Sequence, residues 1–304
     1  MNNAIETKDL KKTFRHLVAV DKLTLTVPVR SIFAFLGPNG AGKTTTIKIL
    51  MNILGASSGK AKILDVDSHQ LGPCEFCRIG YVSENQSMPE WMTAEEFLGY
   101  CKSMYSTWDD FFCKKLLNQF DIPLKQKISH FSRGMKMKIA LVSSIAYRPK
   151  LLILDEPFSG LDPLIRDEFV CGILELSESE DWTIFISSHD INEVERLADW
   201  VGIIDKGVLK IIEKLESLQA RFRKIEILTS SLSMPVPNLP QSWLLPEHNN
   251  RILKFIDSAY EENNTLETIH TLFPNCENII FDGMTLKEIF IVLTKSFKLS
   301  SKEE

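Results

Sequence analysis

The sequence predicts a three-layer α/β fold around a mainly parallel sheet, followed by a small α+β domain. Three observations carry this expectation. Continuous apolar runs, Ile32-Phe33-Ala34-Phe35-Leu36, Leu151-Leu152-Ile153-Leu154 and Thr183-Ile184-Phe185-Ile186, alternate with helical periodicity, as strands covered on both faces do. The first run enters the glycine-rich stretch Gly37-Pro38-Asn39-Gly40-Ala41-Gly42-Lys43-Thr44-Thr45, and the helical run Thr46-Ile47-Lys48-Ile49-Leu50-Met51 leaves it. Beyond residue 220 the pattern changes: Pro235, Pro237 and Pro240 interrupt residues 230–241, where neither a helix nor an inner strand can continue. The expected domains are therefore 1–220 and 221–304.

A chain of 304 residues is longer than one core usually fills, roughly 250 to 300 residues. Its 44% hydrophobic and 25% charged content is that of an ordinary globular protein. No apolar run approaches the roughly 18 residues of a membrane span, and Met1-Asn2-Asn3-Ala4-Ile5-Glu6 lacks a signal-peptide pattern. A cytoplasmic location is expected. A net charge of −5 does not suit a chain that coats nucleic acid, so no nucleic-acid partner is expected. Cys74 and Cys77 stand as a pair, but no second pair lies at zinc-site spacing, and the six cysteines read as buried or incidental thiols, with no disulfides expected.

In chain order, residues 4–7 and 23–27 alternate as half-buried strands, with Phe14 between them as either an exposed stacking aromatic or a core side chain. Gly55 and Ser57-Ser58-Gly59 break the chain before a returning strand at 60–66, and a short strand leads into Glu84-Asn85-Gln86. A capping box of Thr93 and Glu96 opens one amphipathic helix; a second covers 108–120, ahead of Pro123. Ser132 is a candidate N-cap for a helix over 136–147. The apolar run at 151–154 delivers Asp155-Glu156 to the carboxyl end of the sheet, where ligands of such sheets bind. Ser159-Gly160-Leu161-Asp162-Pro163 is a turn before a helix to about Leu176, and the strand from Thr183 ends at His189. A helix at 191–199, strands at 201–205 and 208–212, and a short helix at 215–222 follow. The last domain shows strands at 224–229, 252–256 and 278–281, helices at 265–272 and 285–297, and a frayed tail at 300–304.

Gly37 to Thr45 satisfies G-x-x-x-x-G-K-[ST] between a strand and a helix, the context a phosphate loop requires. Its glycines let backbone N–H groups curl around a polyphosphate, with the helix N-terminus behind them. Lys43 supplies charge for the outer phosphates, and Thr44 and Asp155 supply oxygens for Mg²⁺. Glu156 is the candidate general base and His189 a candidate γ-phosphate contact.

On these residues the chain resembles the ATP-binding subunit of an ABC transporter, in family order over about residues 4–220. The resemblance implies a P-loop NTPase core with ABC-type antiparallel β and helical subdomains, the latter at about 85–147. Gly37 to Thr45 resembles Walker A, Leu151 to Glu156 Walker B with its catalytic glutamate, and Ser159-Gly160-Leu161-Asp162 the D-loop. His189 resembles the switch histidine, and Phe14 falls where the family stacks an aromatic on adenine. The signature stands as Phe131-Ser132-Arg133-Gly134-Met135 in place of LSGGQ. The Q-loop glutamine falls on Glu84, with Gln86 two residues on, as a further ligand for Mg²⁺. More loosely, Met284 to Phe290 resembles the C-terminal region of bacterial export-type ATPases.

The resemblance implies ATP and Mg²⁺, a second ATP-binding subunit facing this one head to tail, and a separate integral membrane transport subunit. It places the chain on the inner face of the cell membrane, powering export by ATP-driven closure and hydrolytic reopening. The alternatives are a soluble ABC ATPase acting on nucleic acid or ribosomes, and a regulatory ATP-binding subunit with low turnover.

Overall fold

The computed structural model describes residues 3–179, 181–229, 239–249 and 251–300. Two compact units divide the chain, Met1–Ile212 and Glu213–Glu304.

The first unit opens with β1 (Asn3–Phe14) and β2 (Leu17–Pro28), an antiparallel hairpin whose last pair is Phe14 and Leu17. The hairpin is longer than the two short strands expected, because Leu10, Val20 and Leu23 extend the buried face along both strands. Next come β3 (Ile32–Leu36), α1 (Lys43–Leu50), β4 (Ser58–Ile63) and β5 (Val66–Asp67). The single strand expected over 60–66 is thus two, since Leu64 and Asp65 turn the chain with φ of 48° and 69°. Sheet order is β2-β1-β4-β5.

The chain continues through α2 (Pro73–Phe76), β6 (Ile79–Ser83), α3 (Ala94–Met104), α4 (Asp110–Gln119), α5 (Arg133–Ile145), β7 (Leu151–Asp155) and α6 (Pro163–Ser179). It then forms β8 (Thr183–Ser188), α7 (Ile191–Glu195), β9 (Trp200–Asp205) and β10 (Val208–Lys214). Helix α7 stops short of Asp199 because that residue joins β3 instead: its carboxylate accepts Ile32 N at 2.8 Å, and its own N–H donates to Ile32 O at 2.9 Å. Helices α3, α4 and α5 lie within the helical region expected at 85–147, each started by a side-chain cap on Thr93, Asp109 or Ser132.

The six-stranded sheet runs β10-β9-β3-β8-β7-β6, with the pairs β9/β3, β3/β8, β8/β7 and β7/β6 parallel. Every side chain of β3, β7 and β8 is buried, which is why their sequences are continuously apolar. Phe185 sits between Phe33 and Phe35 at centroid distances of 5.7 and 5.5 Å. The parallel register aligns Ser83, Asp155 and Ser187 at one level. Polar groups from three strands therefore meet at the carboxyl end of the sheet.

The second unit comprises α8 (Leu215–Arg221), β11 (Arg223–Thr229), β12 (Trp243–Asn249), β13 (Ile252–Asp257), α9 (Glu262–Leu272), β14 (Cys276–Gly283) and α10 (Leu286–Ser300). Its strands form an antiparallel sheet, β12-β13-β11-β14. The unit begins before residue 221 because α8 is bonded into it: Arg221 donates to Ser258 O at 2.6 Å, and Tyr260 N donates to Arg221 O at 2.9 Å. Strand β12 was not among the expected elements. It carries Pro246 in an edge position beside a register shift between Leu244 and Glu247, where a missing donor is tolerated. Of the expected proline-broken stretch, residues 230–238 lie outside the described residues, as do residues 301–304 of the expected tail.

Candidate functional site

The phosphate loop leaves β3 and enters α1 with Gly42 as N-cap at φ 107°. A Cβ on Gly42 would lie 2.4 Å from Ala19 O, and one on Gly37 would lie 2.4 Å from Ile204 O. The loop backbone is thus seated directly against neighbouring strands, at a distance only glycine allows. Beside it lies a cleft of about 570 Å³ lined by Asn39, Gly40, Ala41, Gly42, Lys43, Thr44 and Thr45, and also by Phe14, Val18, Glu84, Glu156 and Lys206. Phe14 is 43% exposed at the hairpin end, with Lys12 Nζ 5.0 Å from its ring centroid. Of its two possible placements, the exposed one is observed.

Lys43 is buried, and its Nζ donates to Gly37 O at 2.7 Å and Pro38 O at 3.3 Å. The same ammonium lies 3.0 Å from Glu156 Oε1. Glu156 Oε2 accepts from His189 N at 3.2 Å and stands 2.7 Å from His189 Nδ1. A carboxylate oxygen can only accept, so Nδ1 carries a proton in this contact. Glu156 itself has φ 52°, a left-handed backbone held by its N–H donating to Ser187 Oγ and O, both at 3.1 Å. This backbone turn sets the side chain between the Lys43 ammonium and the His189 ring.

Asp155 is 3% exposed, and its Oδ1 accepts from Ser187 Oγ at 2.7 Å and Thr44 Oγ1 at 3.1 Å. Burial pushes its carboxyl above the usual carboxylate range; Ser187 and Thr44 oppose that push, Glu156 adds to it, and Lys43 opposes it. A hydroxyl and a carboxylate make an all-oxygen pair of the kind a hard cation such as Mg²⁺ takes.

Glu84 lines the cleft, whereas Gln86 turns back so that its Oε1 accepts Ser83 N at 3.4 Å. Glu84 Oε1 accepts from Ser159 Oγ at 2.6 Å and Arg133 Nη2 at 3.1 Å. Ser132 Oγ caps α5 by accepting Met135 N at 3.2 Å. Gly134 packs on α6, where a Cβ would meet Ile165 Cγ2 at 2.7 Å. Ser132, Arg133, Gly134 and Met135 do not line their own chain's cleft. Gly160 turns with φ 65°, Leu161 is buried, and Asp162 Oδ1 accepts Ile165 N at 3.1 Å to begin α6.

Ser187 and Arg166 were absent from the expected site. The signal for Ser187 was its place as a polar residue ending an apolar strand; its pairing with Asp155 is set by the sheet register. Arg166 bridges Asp190 Oδ2 at 2.5 Å and Leu161 O at 3.2 Å, tying the turn before α6 to the residue after His189. No local signal marks that contact.

A family model described as ABC transporter matches residues 20–159. The bacitracin transport ATP-binding protein of Bacillus licheniformis is 35% identical over 228 residues, covering 74% of this chain and 74% of that protein. The corresponding protein of Enterococcus faecalis is 30% identical over 226 residues, covering 74% and 73%. A lantibiotic transport ATP-binding protein of Streptococcus pyogenes is 32% identical over 212 residues, covering 69% of this chain and 90% of its own. A solved ATP-binding subunit of an ABC transporter superposes with a TM-score of 0.65 at 28% identity, over 71% of this chain and 92% of that one. A dimeric ATP-binding cassette bound to ADP and Pi shares the fold at a TM-score of 0.62 and 19% identity, over 69% and 98%. With 35% of residues identical over 74% of a transport ATP-binding protein's length, the chain belongs to the ATPase family formed by the ATP-binding subunits of ABC transporters.

Proposed function

We propose that the chain hydrolyses ATP to power export through a separate integral membrane partner, as one of two head-to-tail copies at the inner face of the membrane. The observation that carries this reading is the contact series Lys43–Glu156–His189 beside Asp155 and Thr44, all at the carboxyl end of the sheet. Adenine stacks on Phe14, and the phosphates take the amides of the loop from Gly37 to Thr45. Lys43 passes from Glu156 Oε1 to the outer phosphates, which frees a carboxylate already aimed by His189.

Glu156 then accepts the proton of a water whose oxygen forms a bond to the γ-phosphorus as the bridging P–O bond breaks and ADP leaves. Mg²⁺, held by Thr44 and Asp155 with Glu84 from the cleft wall, would offset the charge on the phosphate oxygens. Ser132 and the α5 N-terminus of the second copy supply further donors, with Arg133, Gly134, Met135 and the turn from Ser159 to Asp162 alongside. Relatives named for bacitracin and lantibiotic transport support a peptide antibiotic as the transported class.

Glu156→Gln should keep Mg·ATP affinity and lose roughly 10² to 10⁴ in turnover, the usual contribution of a positioned base. Turnover at the wild-type rate would remove the base assignment. Purification from detergent-solubilised membranes should bring down an integral membrane protein with the chain; recovery with RNA alone would favour the nucleic-acid alternative.

A further inference from the structure

Two residues stand out as departures from the family pattern, Glu84 for a glutamine and Arg133 for a glycine, and the fold puts them in contact. We infer that Arg133 is a positioning residue for Glu84: it neutralises the carboxylate on the cleft wall and holds one of its oxygens, so that the cleft accepts a polyphosphate. The inference rests on the reading that ATP occupies this cleft.

A bare carboxylate lining a phosphate cleft repels its ligand. Here Glu84 Oε1 accepts from both Ser159 Oγ at 2.6 Å and Arg133 Nη2 at 3.1 Å, and the second carboxylate oxygen, Oε2, would be the one to meet a cation in the cleft. The next cation along the same helix is already committed, since Lys136 Nζ lies 2.6 Å from Glu90 Oε1. Gly160 gives the guanidinium its place: a Cβ there would lie 2.4 Å from Arg133 Nη1, so a larger residue would push the arginine off Glu84. The ion pair and the Ser159 hydrogen bond together join the loop after β6, the start of α5 and the turn before α6. Its side chains are 47% and 35% exposed, so solvent screens the pair and its effect on binding is modest and measurable.

The test is a double-mutant cycle on the full chain, reading ATP dissociation constants by calorimetry in EDTA and again in excess Mg²⁺. Arg133→Gln keeps the helix and removes the charge. In EDTA it should weaken ATP binding by about fivefold, the upper range for an ion pair of this exposure. In the Glu84→Gln background the same change should cost distinctly less, the difference being the coupling between the two side chains. Excess Mg²⁺ should shrink the Arg133→Gln loss, because a cation on Oε2 takes over the neutralisation. An equal loss in both backgrounds, or none in either, overturns the inference, and a fall in Tm without coupling reduces Arg133 to a structural residue. Wild-type chain that binds no ATP would overturn the ATP reading itself, and with it this one.

Discussion

At the scale of single residues, two glycines of the loop separate backbone strain from steric contact. Gly40 has φ 80° with no atom within 4 Å of an added Cβ, while Gly42 has φ 107° with Ala19 O at 2.4 Å. Gly40→Ala should therefore cost only the left-handed strain of an L-residue, about 1 to 2 kcal/mol by urea unfolding. Gly42→Ala adds a backbone collision to the same strain. It should cost more and weaken ATP binding as well, because α1 must shift to clear β2. Equal stability of the two variants would remove the β2 contact from the account. Gly42, Lys43, Thr44, Asp155 and Glu156 were legible because they are neighbours in short runs whose strand and helix context is local. The Arg133–Glu84 contact spans 49 positions, and a sequence read segment by segment shows each partner only as an isolated departure.

Among elements, α4 shows how a cap reports on pH. Asp109 accepts Phe112 N at 2.8 Å and Arg148 Nη2 at 3.0 Å, and the N–H bond first, then the guanidinium, hold its carboxyl below the usual range. A depressed carboxylate stabilises the folded state above its unfolded pKa, near 3.8, and that contribution is lost as pH falls through the lower folded value. Asp109→Asn keeps a capping oxygen and loses the charge. Its Tm should lie below wild type at pH 7, and the difference should close as pH falls below the ordinary aspartate value; a gap independent of pH would assign the loss to packing. The capping boxes at Thr93 and Thr285 were readable because they use residues three apart. Strand β12 was not readable: Pro246 argues against a strand, and only the bulge and the edge position, which follows from β11 pairing on the other side of β13, make it acceptable.

For the molecule as a whole, each unit has its own buried core, so stability and nucleotide binding should respond separately to core damage. The first packs Phe33, Phe35 and Phe185 under the sheet that presents the loop. The second packs Trp243, Phe255, Ile227 and Ile269, with Trp243 and Phe255 stacked at a centroid distance of 4.0 Å. Phe255 is 2% exposed, so Phe255→Ala should cost about 3 to 5 kcal/mol through lost burial and the cavity left behind. That loss belongs to the unit from Glu213 onward, which holds none of the residues lining the cleft. Calorimetric unfolding of Phe255→Ala should move one transition down and leave the other in place. Saturating Mg·ATP should raise only the unmoved transition, since a ligand stabilises the unit that binds it by mass action. Titration of the variant with ATP should return the wild-type dissociation constant. A single transition that falls with Phe255→Ala and rises with ATP would mean that the two cores unfold as one cooperative body, and the second unit would then belong to the energetics of the nucleotide site.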